Sequence, residues 1–213
     1  MAEREGWEVP ELYTDTGKEV EGVHAAAGLC DISPVGKLVI EGPRLGSFIS
    51  RAFSGATLAI GHAQRQVLLG WAGTLVDYVL LCRPAEDRLL ALTAASKART
   101  VAEVLERYLP DGAGLRDATQ ELAAIAVMGP SSADVLAGLG GTDLYAIPDM
   151  STIEVAATGT PVTLLRADIR GQQCFQFYVG SARAELLWDA ILDAGRDHGV
   201  APVGWLAWRR LGG

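Results

Sequence analysis

Apolar positions recur along the chain at two spacings, and the spacing separates predicted strands from predicted helices. Unbroken or alternating apolar runs predict strands at residues 38–40, 67–69, 76–81, 89–92, 153–156, 162–167 and 175–179. Apolar residues three or four positions apart predict three helices, which carry Leu45, Phe48, Ile49 and Ala52; Val101, Val104, Leu105 and Tyr108; and Leu187, Ala190, Ile191 and Ala194. Strands and helices alternate without a long parallel run, so the pattern predicts an α+β fold.

One strand-to-helix corner occurs twice. Leu38-Val-Ile-Glu-Gly-Pro43 and Ile125-Ala-Val-Met-Gly-Pro130 each end an apolar run on Gly-Pro, and a further apolar segment follows. Proline is well tolerated at the first position of a helix, because the amide there has no partner within the helix. We therefore predict that each proline opens a helix. A different connection, Thr158-Gly-Thr-Pro161, predicts a hairpin between two strands.

The length, the net charge and the N-terminal residues restrict the kinds of protein that this chain can be. With 213 residues, nearly half of them apolar, the chain can bury the core of one large domain or two small ones. A net charge of −8 argues against a nucleic-acid surface, which needs clustered lysine and arginine. No apolar run reaches the roughly 20 residues of a membrane helix, and the first residues lack the pattern of a signal peptide. These features predict a soluble cytoplasmic protein with no nucleic-acid or membrane partner.

The cysteines and histidines form no recognisable motif. Cys30, Cys82 and Cys174 each stand in an apolar or strand-like context, which favours core thiols over a metal or redox role. No cysteine or histidine has a second one at ligand spacing, so we expect neither a metal site nor a Ser-His-Asp triad.

Three motifs occur in the order and spacing of one family. Ala27-Gly-Leu-Cys-Asp-Ile-Ser33 resembles an Ala-Gly-Leu-Phe-Asp-Val-Ser motif, and Gly73-Thr-Leu-Val-Asp-Tyr78 resembles a Gly-Gly-x-x-Asp-Asp loop. The segment 187–195, followed by His198-Gly-Val-Ala-Pro-Val-Gly204, resembles a helix with its Pro-x-Gly turn. Together they resemble the aminomethyltransferase family, which includes the T protein of the glycine cleavage system.

The resemblance implies a domain arrangement. It implies two intertwined α+β domains, a discontinuous one from residues 1–54 and 119–213 and an inserted small one from residues 55–118. This arrangement places one Gly-Pro corner on each side of the insertion. The C-terminal β-barrel of the family has no counterpart in this sequence, so the resemblance covers the folate-binding portion alone.

The resemblance also implies a tetrahydrofolate site, with the pterin held between the domains. An aspartate near N5 stabilises a cationic one-carbon intermediate in the family, because a fixed anion is most effective in a dry pocket. The matching position holds Tyr78, which leaves Asp77 as the remaining acid, and these two are the candidate catalytic residues. The candidate cofactor-binding residues, at positions matching the family's ligand contacts, are Arg65, Thr93, Gln176 and Arg209.

Taken without the resemblance, these residues have ordinary interpretations. Asp77 is also typical of a turn cap, Tyr78 of a core aromatic, and Gln176 of a solvated strand position. Gln176 stands where the family has a glutamate, and its amide still accepts one hydrogen bond and donates another. Arg209 is also typical of a solvated helix face.

Three functions follow from these observations. The first is a folate-dependent one-carbon transferase that acts on a small amine. The second is a non-catalytic subunit that supports a partner oxidase, as in sarcosine oxidases, with Trp205 and Trp208 as interface anchors. The third is a repurposed pocket with different small-molecule chemistry in a biosynthetic pathway, where Arg65 or Tyr78 contacts the ligand and Arg65 binds a carboxylate or phosphate. The first requires a small-molecule substrate, and the second a protein partner; a homo-oligomer is also compatible with the sequence.

Overall fold

The structure, a computed structural model, describes residues 1–4, 6–137, 139 and 143–213. Contacts divide the chain into two compact units. The first unit consists of Met1–Ser33, Leu122–Met150 and Glu154–Gly213, and the second of Pro34–Glu121 and Ser151–Ile153. The second unit is thus inserted into the sequence of the first.

Helices and strands alternate along both units, which confirms the predicted α+β fold. The α-helices among the described residues are α1 (Thr16–Ala25), α2 (Leu45–Ala52), α3 (Ala98–Leu105), α4 (Ser132–Ala137), α5 (Ala184–Ala194) and α6 (Trp205–Leu211). The strands are β1 (Ala2–Arg4), β2 (Trp7–Val9), β3 (Ala27–Asp31), β4 (Val35–Glu41), β5 (His62–Leu69), β6 (Leu75–Ala85), β7 (Arg88–Ala94), β8 (Gly114–Asp117), β9 (Leu122–Met128), β10 (Ser151–Ala157), β11 (Thr160–Arg166), β12 (Cys174–Gly180) and β13 (Val200–Val203). Within the described part of the chain, each helix is too short or too polar to cross a membrane.

The first unit is built on a sheet with the strand order β13-β3-β9-β12-β11-β10. The pairs β3–β9, β9–β12 and β12–β11 are antiparallel, and β13 runs parallel to β3. The neighbouring strands β10 and β11 form the hairpin that the sequence predicts. The helix α1 contacts β3 and β13, and α5 contacts β9.

The second unit is an antiparallel sheet with the strand order β5-β6-β7-β4-β8. One of its faces, the helical face, packs against α2 and α3 in an apolar cluster. The four residues that predicted the first helix are the four that α2 buries, namely Leu45, Phe48, Ile49 and Ala52. The apolar spacing therefore identified the packed side of this helix correctly.

The boundary of the inserted unit differs from the predicted one. The prediction began the insertion at residue 55, whereas contacts place residues 34–54 in the second unit as well. The physical reason is strand pairing, because β4 pairs with β7 along its length and with β8 from Leu38 to Glu41. The helix α2 follows β4 and buries its apolar side in the same cluster.

Both Gly-Pro corners connect a strand to a helix as predicted, but the position predicted for proline is wrong. The helices α2 and α4 begin at Leu45 and Ser132, two residues after each proline. The glycines define the corners, since Gly42 and Gly129 have φ angles of +136° and +132°. A side chain at Gly42 would place its Cβ 2.5 Å from the Cα of Ala113, so both conformation and space require glycine.

Candidate functional site

Asp77 and Tyr78 are consecutive residues of β6 and therefore point to opposite faces of the second unit's sheet. Asp77 is paired with Leu68, a member of the apolar cluster on the helical face. Tyr78 is paired with Val67, which lies on the other face, here called the far face. The two candidate catalytic residues are thus not neighbours in space on one surface.

The Asp77 carboxylate is bound at the end of β7. The Thr93 hydroxyl donates a hydrogen bond to Asp77 Oδ2, and the Ala94 amide donates to the same oxygen at 3.1 Å. Thr93 is buried and Asp77 is half-buried. The structure therefore brings two of the predicted site residues together, with Thr93 fixing the orientation of the acid.

Arg65 and Tyr78 lie together on the far face. The register pairs Arg65 with Leu80 and Tyr78 with Val67, which makes the two residues diagonal neighbours on adjacent strands. Arg65 is exposed, and Tyr78 is 68% exposed. The interpretation of Tyr78 as a core aromatic is therefore wrong. Within the described residues, neither side chain takes part in a hydrogen bond or an ion pair.

Lys37 belongs to the same face and was not a candidate from the sequence. A row of register partners crosses the sheet from Arg65 through Leu80 and Leu92 to Lys37. Lys37 is fully buried, and its Nζ donates a hydrogen bond to the Val35 carbonyl at 2.8 Å. A buried ammonium group is costly unless it has partners. A lysine inside the otherwise apolar run 35–40 is the sequence signal that could have identified it.

Gln176 lies in the first unit, on β12, and is 8% exposed. Its Oε1 accepts a hydrogen bond from the Tyr178 hydroxyl at 2.6 Å, and its Nε2 donates to Cys174 Sγ at 3.9 Å. All three side chains point to one face because they alternate along the strand. The interpretation of Gln176 as a solvated residue is therefore wrong, and its amide has a fixed orientation.

Burial raises the pKa of both thiols of this unit. Burial is the main cause that raises the pKa of Cys174 to about 12, against a smaller lowering by the Gln176 hydrogen bond. Burial and then the nearby Asp31 carboxylate raise the pKa of Cys30 well above its ordinary range. Cys82 of the second unit is also a free, buried thiol. All three cysteines are core thiols, as predicted.

Arg209 is exposed on α6, and in the part of the chain described here its side chain makes no ion pair. Trp208, in the same helix, is buried in the core, so its prediction as an interface anchor is wrong. Trp205 is half-buried, with the Arg4 guanidinium 5.9 Å from its ring centroid. A glutamate in α1 holds the start of α6, because Glu19 Oε2 accepts a hydrogen bond from the Gly204 amide at 2.9 Å.

The arrangement of these elements is that of a known family. The model of the GCVT N-terminal domain matches residues 1–211. The chain belongs to this family. The resemblance to aminomethyltransferases that the motifs indicate is thereby confirmed.

Curated aminomethyltransferases are similar to this GCVT N-terminal domain along nearly its whole length. The protein from Saccharopolyspora erythraea is 31% identical over 202 residues, which is 93% of this chain and 55% of that protein. The protein from Lysinibacillus sphaericus is 32% identical over 203 residues, with the same coverage. The chain thus spans about half the length of the curated relatives it matches.

Two solved structures share the fold. The glycine cleavage system aminomethyltransferase T from Bartonella henselae matches with a TM-score of 0.81 and 27% identity, over 97% of this chain and 56% of that one. A chain of the heterotetrameric sarcosine oxidase from a Corynebacterium species matches with a TM-score of 0.67 and 16% identity. The match covers 88% of this chain and 94% of the oxidase chain. At that identity, the second likeness concerns the fold alone.

Proposed function

We propose that this GCVT N-terminal domain binds tetrahydrofolate and acts in the transfer of a methyl or methylene group on a small amine. Membership of the family and about 30% identity to curated aminomethyltransferases support this proposal. The chain covers about half of those relatives, so the activity and the substrate are inferred from its own residues.

The observation that carries the proposal is the exposed pair on the far face. Tyr78 and Arg65 are adjacent there, with no partner among the described residues. Tetrahydrofolate combines flat ring systems with a carboxylate tail. An exposed phenol ring can stack on the rings, and a guanidinium group binds a carboxylate through two parallel hydrogen bonds. Tyr78 and Arg65 thus offer complementary groups for both parts of the ligand.

Asp77 and Thr93 then act as a positioning pair. Thr93 and the Ala94 amide both bind Asp77 Oδ2, which fixes the end of β6 that carries Tyr78. In the transfer itself, Tyr78 is the group that meets the substrate. A phenol hydroxyl donates and accepts hydrogen bonds, so Tyr78 contributes a hydrogen bond where the family has an aspartate.

Two further candidates from the family resemblance lie in the first unit, where Gln176 would recognise an amino-pyrimidinone edge and Arg209 an acidic group. An amide pairs with such an edge through one donor and one acceptor. Replacing a charged acceptor by a neutral one costs about 1–2 kcal/mol, or roughly a factor of ten in affinity. The glutamine therefore weakens recognition and does not abolish it.

The test is calorimetric titration with reduced tetrahydrofolate. We expect dissociation constants of about micromolar size for the unmodified chain. Tyr78→Thr removes the ring and should weaken binding by roughly a factor of ten, whereas Gln176→Glu should strengthen it by a similar factor. Tyr145→Thr is the matched control, because Tyr145 is an exposed tyrosine of the first unit, far from these residues in sequence.

Two outcomes contradict the folate proposal. One is the absence of heat at millimolar tetrahydrofolate, and the other is an equal loss of affinity in the Tyr78 and Tyr145 variants. In the first case, a carboxylate or phosphate ligand of Arg65 becomes the next candidate to titrate.

A second candidate function is a subunit role beside a partner oxidase. The observation that favours it is the extent of the match to the sarcosine oxidase chain, 94% of which is covered by this fold. Size-exclusion chromatography of the chain purified from its native source tests it. Elution at the mass of the single chain of 22.5 kDa contradicts this role.

A further inference from the structure

A pocket of about 160 Å³ lies within the first unit, on the sheet face opposite Gln176. The register shows the two faces, because Asp31 in the pocket is paired with Ile125, whereas Gln176 is paired with the next residue, Ala126. The space far exceeds the roughly 10–15 Å³ that one water molecule needs. The pocket therefore has room for a small organic molecule, and none of the residues proposed above lines it.

Two indole rings form part of the wall. Trp7 comes from β2 and Trp188 from α5, and both are half-buried. The faces of indole rings attract cations more strongly than those of other aromatic side chains. Apolar residues of β9 complete the floor.

Two carboxylates also line the pocket. Asp31 is half-buried, and its Oδ1 accepts a hydrogen bond from the Ser33 amide at 2.8 Å. Glu185 is exposed in the first turn of α5. Neither carboxylate forms an ion pair with a basic residue in the part of the chain that the structure describes.

Two basic residues lie near the pocket lining in sequence or register, and neither forms an ion pair with its carboxylates. Arg4 is the register partner of Trp7, but its guanidinium binds Glu11 at 2.6 Å and lies over Trp205. Arg183 precedes α5 and is exposed, with no ion pair among the described residues. The start of α5 adds about half a positive charge at most. Among the described residues that line the pocket, Asp31 and Glu185 are the charged ones, so the lining carries negative charge.

We propose that this pocket binds a small organic ammonium ion. Aromatic faces together with anionic oxygens are the groups that recognise such ions. A metal ion fits less well, because indoles offer no ligand atom and only two carboxylates are present. Among the described residues, no group of three metal-ligating side chains occurs anywhere.

The test compares choline with 3,3-dimethyl-1-butanol, a neutral molecule of the same shape, by calorimetry at low ionic strength. Choline should bind at least tenfold more tightly than the alcohol, and added salt should weaken choline binding alone. Asp31→Asn keeps the oxygen that accepts from Ser33 and should weaken choline binding roughly tenfold. Trp188→Ala should have a similar effect, and Glu185→Gln a smaller one because Glu185 is exposed.

The matched control is Trp71→Ala, which removes an exposed indole from the second unit. It should leave choline affinity unchanged. Equal affinities for choline and the alcohol, or equal losses in the Trp71 and Trp188 variants, would overturn the proposal. If Trp188→Ala lowers the melting temperature, Trp188→Phe, which keeps an aromatic face, replaces it and should lose affinity by a smaller factor. Tyr78→Thr should not change choline binding, which keeps this result separate from the folate proposal.

Discussion

The candidate residues of the two units differ in how their polar groups are satisfied. In the first unit, Gln176 is buried and bonded at both ends of its amide, to Tyr178 and to Cys174. In the second unit, Tyr78 and Arg65 are exposed and have no bonded partner among the described residues. Neighbouring side chains of its own strand fix the orientation of Gln176, whereas Tyr78 and Arg65 face solvent.

This difference determines what a ligand gains at each place. A ligand that binds Gln176 exchanges existing hydrogen bonds for new ones, so the net gain in binding free energy is small. The contribution of Gln176 is instead the fixed orientation of its amide. A ligand that binds Tyr78 and Arg65 displaces only water and gains aromatic and charged contacts. We therefore expect substitutions of Gln176 to change stability and binding together, and those of Tyr78 and Arg65 to change binding alone.

The largest effect of a substitution on stability at neutral pH is expected for Gln176→Ala. The variant loses the acceptor for Tyr178 and buried methylene groups, so the free energy of unfolding should fall by about 2 kcal/mol. Urea unfolding followed by circular dichroism measures it. Gln176→Met is the matched control, because it keeps the side-chain volume and removes only the hydrogen bonds. Its free energy of unfolding should fall by about half as much. No change in either variant would contradict the buried, bonded state of Gln176.

The second effect is a pH dependence that originates at Cys174. Its pKa is raised from 9.0 to about 12 in the folded chain, so the unfolded chain loses this proton first as pH rises. The stability that the protonated thiol contributes is complete below pH 9 and is lost between pH 9 and 12. The slope is about 1.4 kcal/mol per pH unit for one fully buried thiol.

Urea unfolding of the unmodified chain and of Cys174→Ala, at several pH values above 8, tests this pH dependence of stability. The unmodified chain should lose stability more steeply than Cys174→Ala, because other groups titrate equally in both. Parallel curves would show that the thiol ionises as readily in the folded chain as in the unfolded one.

Much of the fold could be predicted from apolar spacing, because each packed element buries a regular set of residues. The four residues of α2 and the β10–β11 hairpin are examples. The boundary of the inserted unit could not, since it depends on β4 pairing with β7 and β8, which are distant in sequence. The start of α2 after Arg44 depends on corner geometry that Pro43 alone does not reveal.

The sequence names candidate residues, but it does not reveal how the fold arranges them. Asp77 and Tyr78 are adjacent in sequence, yet strand geometry separates them, and pairing brings Thr93 to Asp77. Lys37 is buried on β4, a strand that has β7 on one side and β8 on the other. A charged residue in an apolar run signals such a position, but spacing alone does not tell which face it occupies.

The smallest effect on stability is expected for the exposed pair on the far face. Tyr78→Thr keeps a side chain suited to a strand and removes an exposed ring, so the free energy of unfolding should change by no more than about 0.5 kcal/mol. Arg65→Gln, also at an exposed position of a strand, should change it by as little. Measured in the same urea series as the Gln176 variants, a loss of about 2 kcal/mol at Tyr78 would show that its ring packs in the fold. Unchanged stability together with weakened tetrahydrofolate binding would show that the far face is kept for a ligand, because an exposed aromatic ring that adds nothing to the fold has its contacts outside the chain.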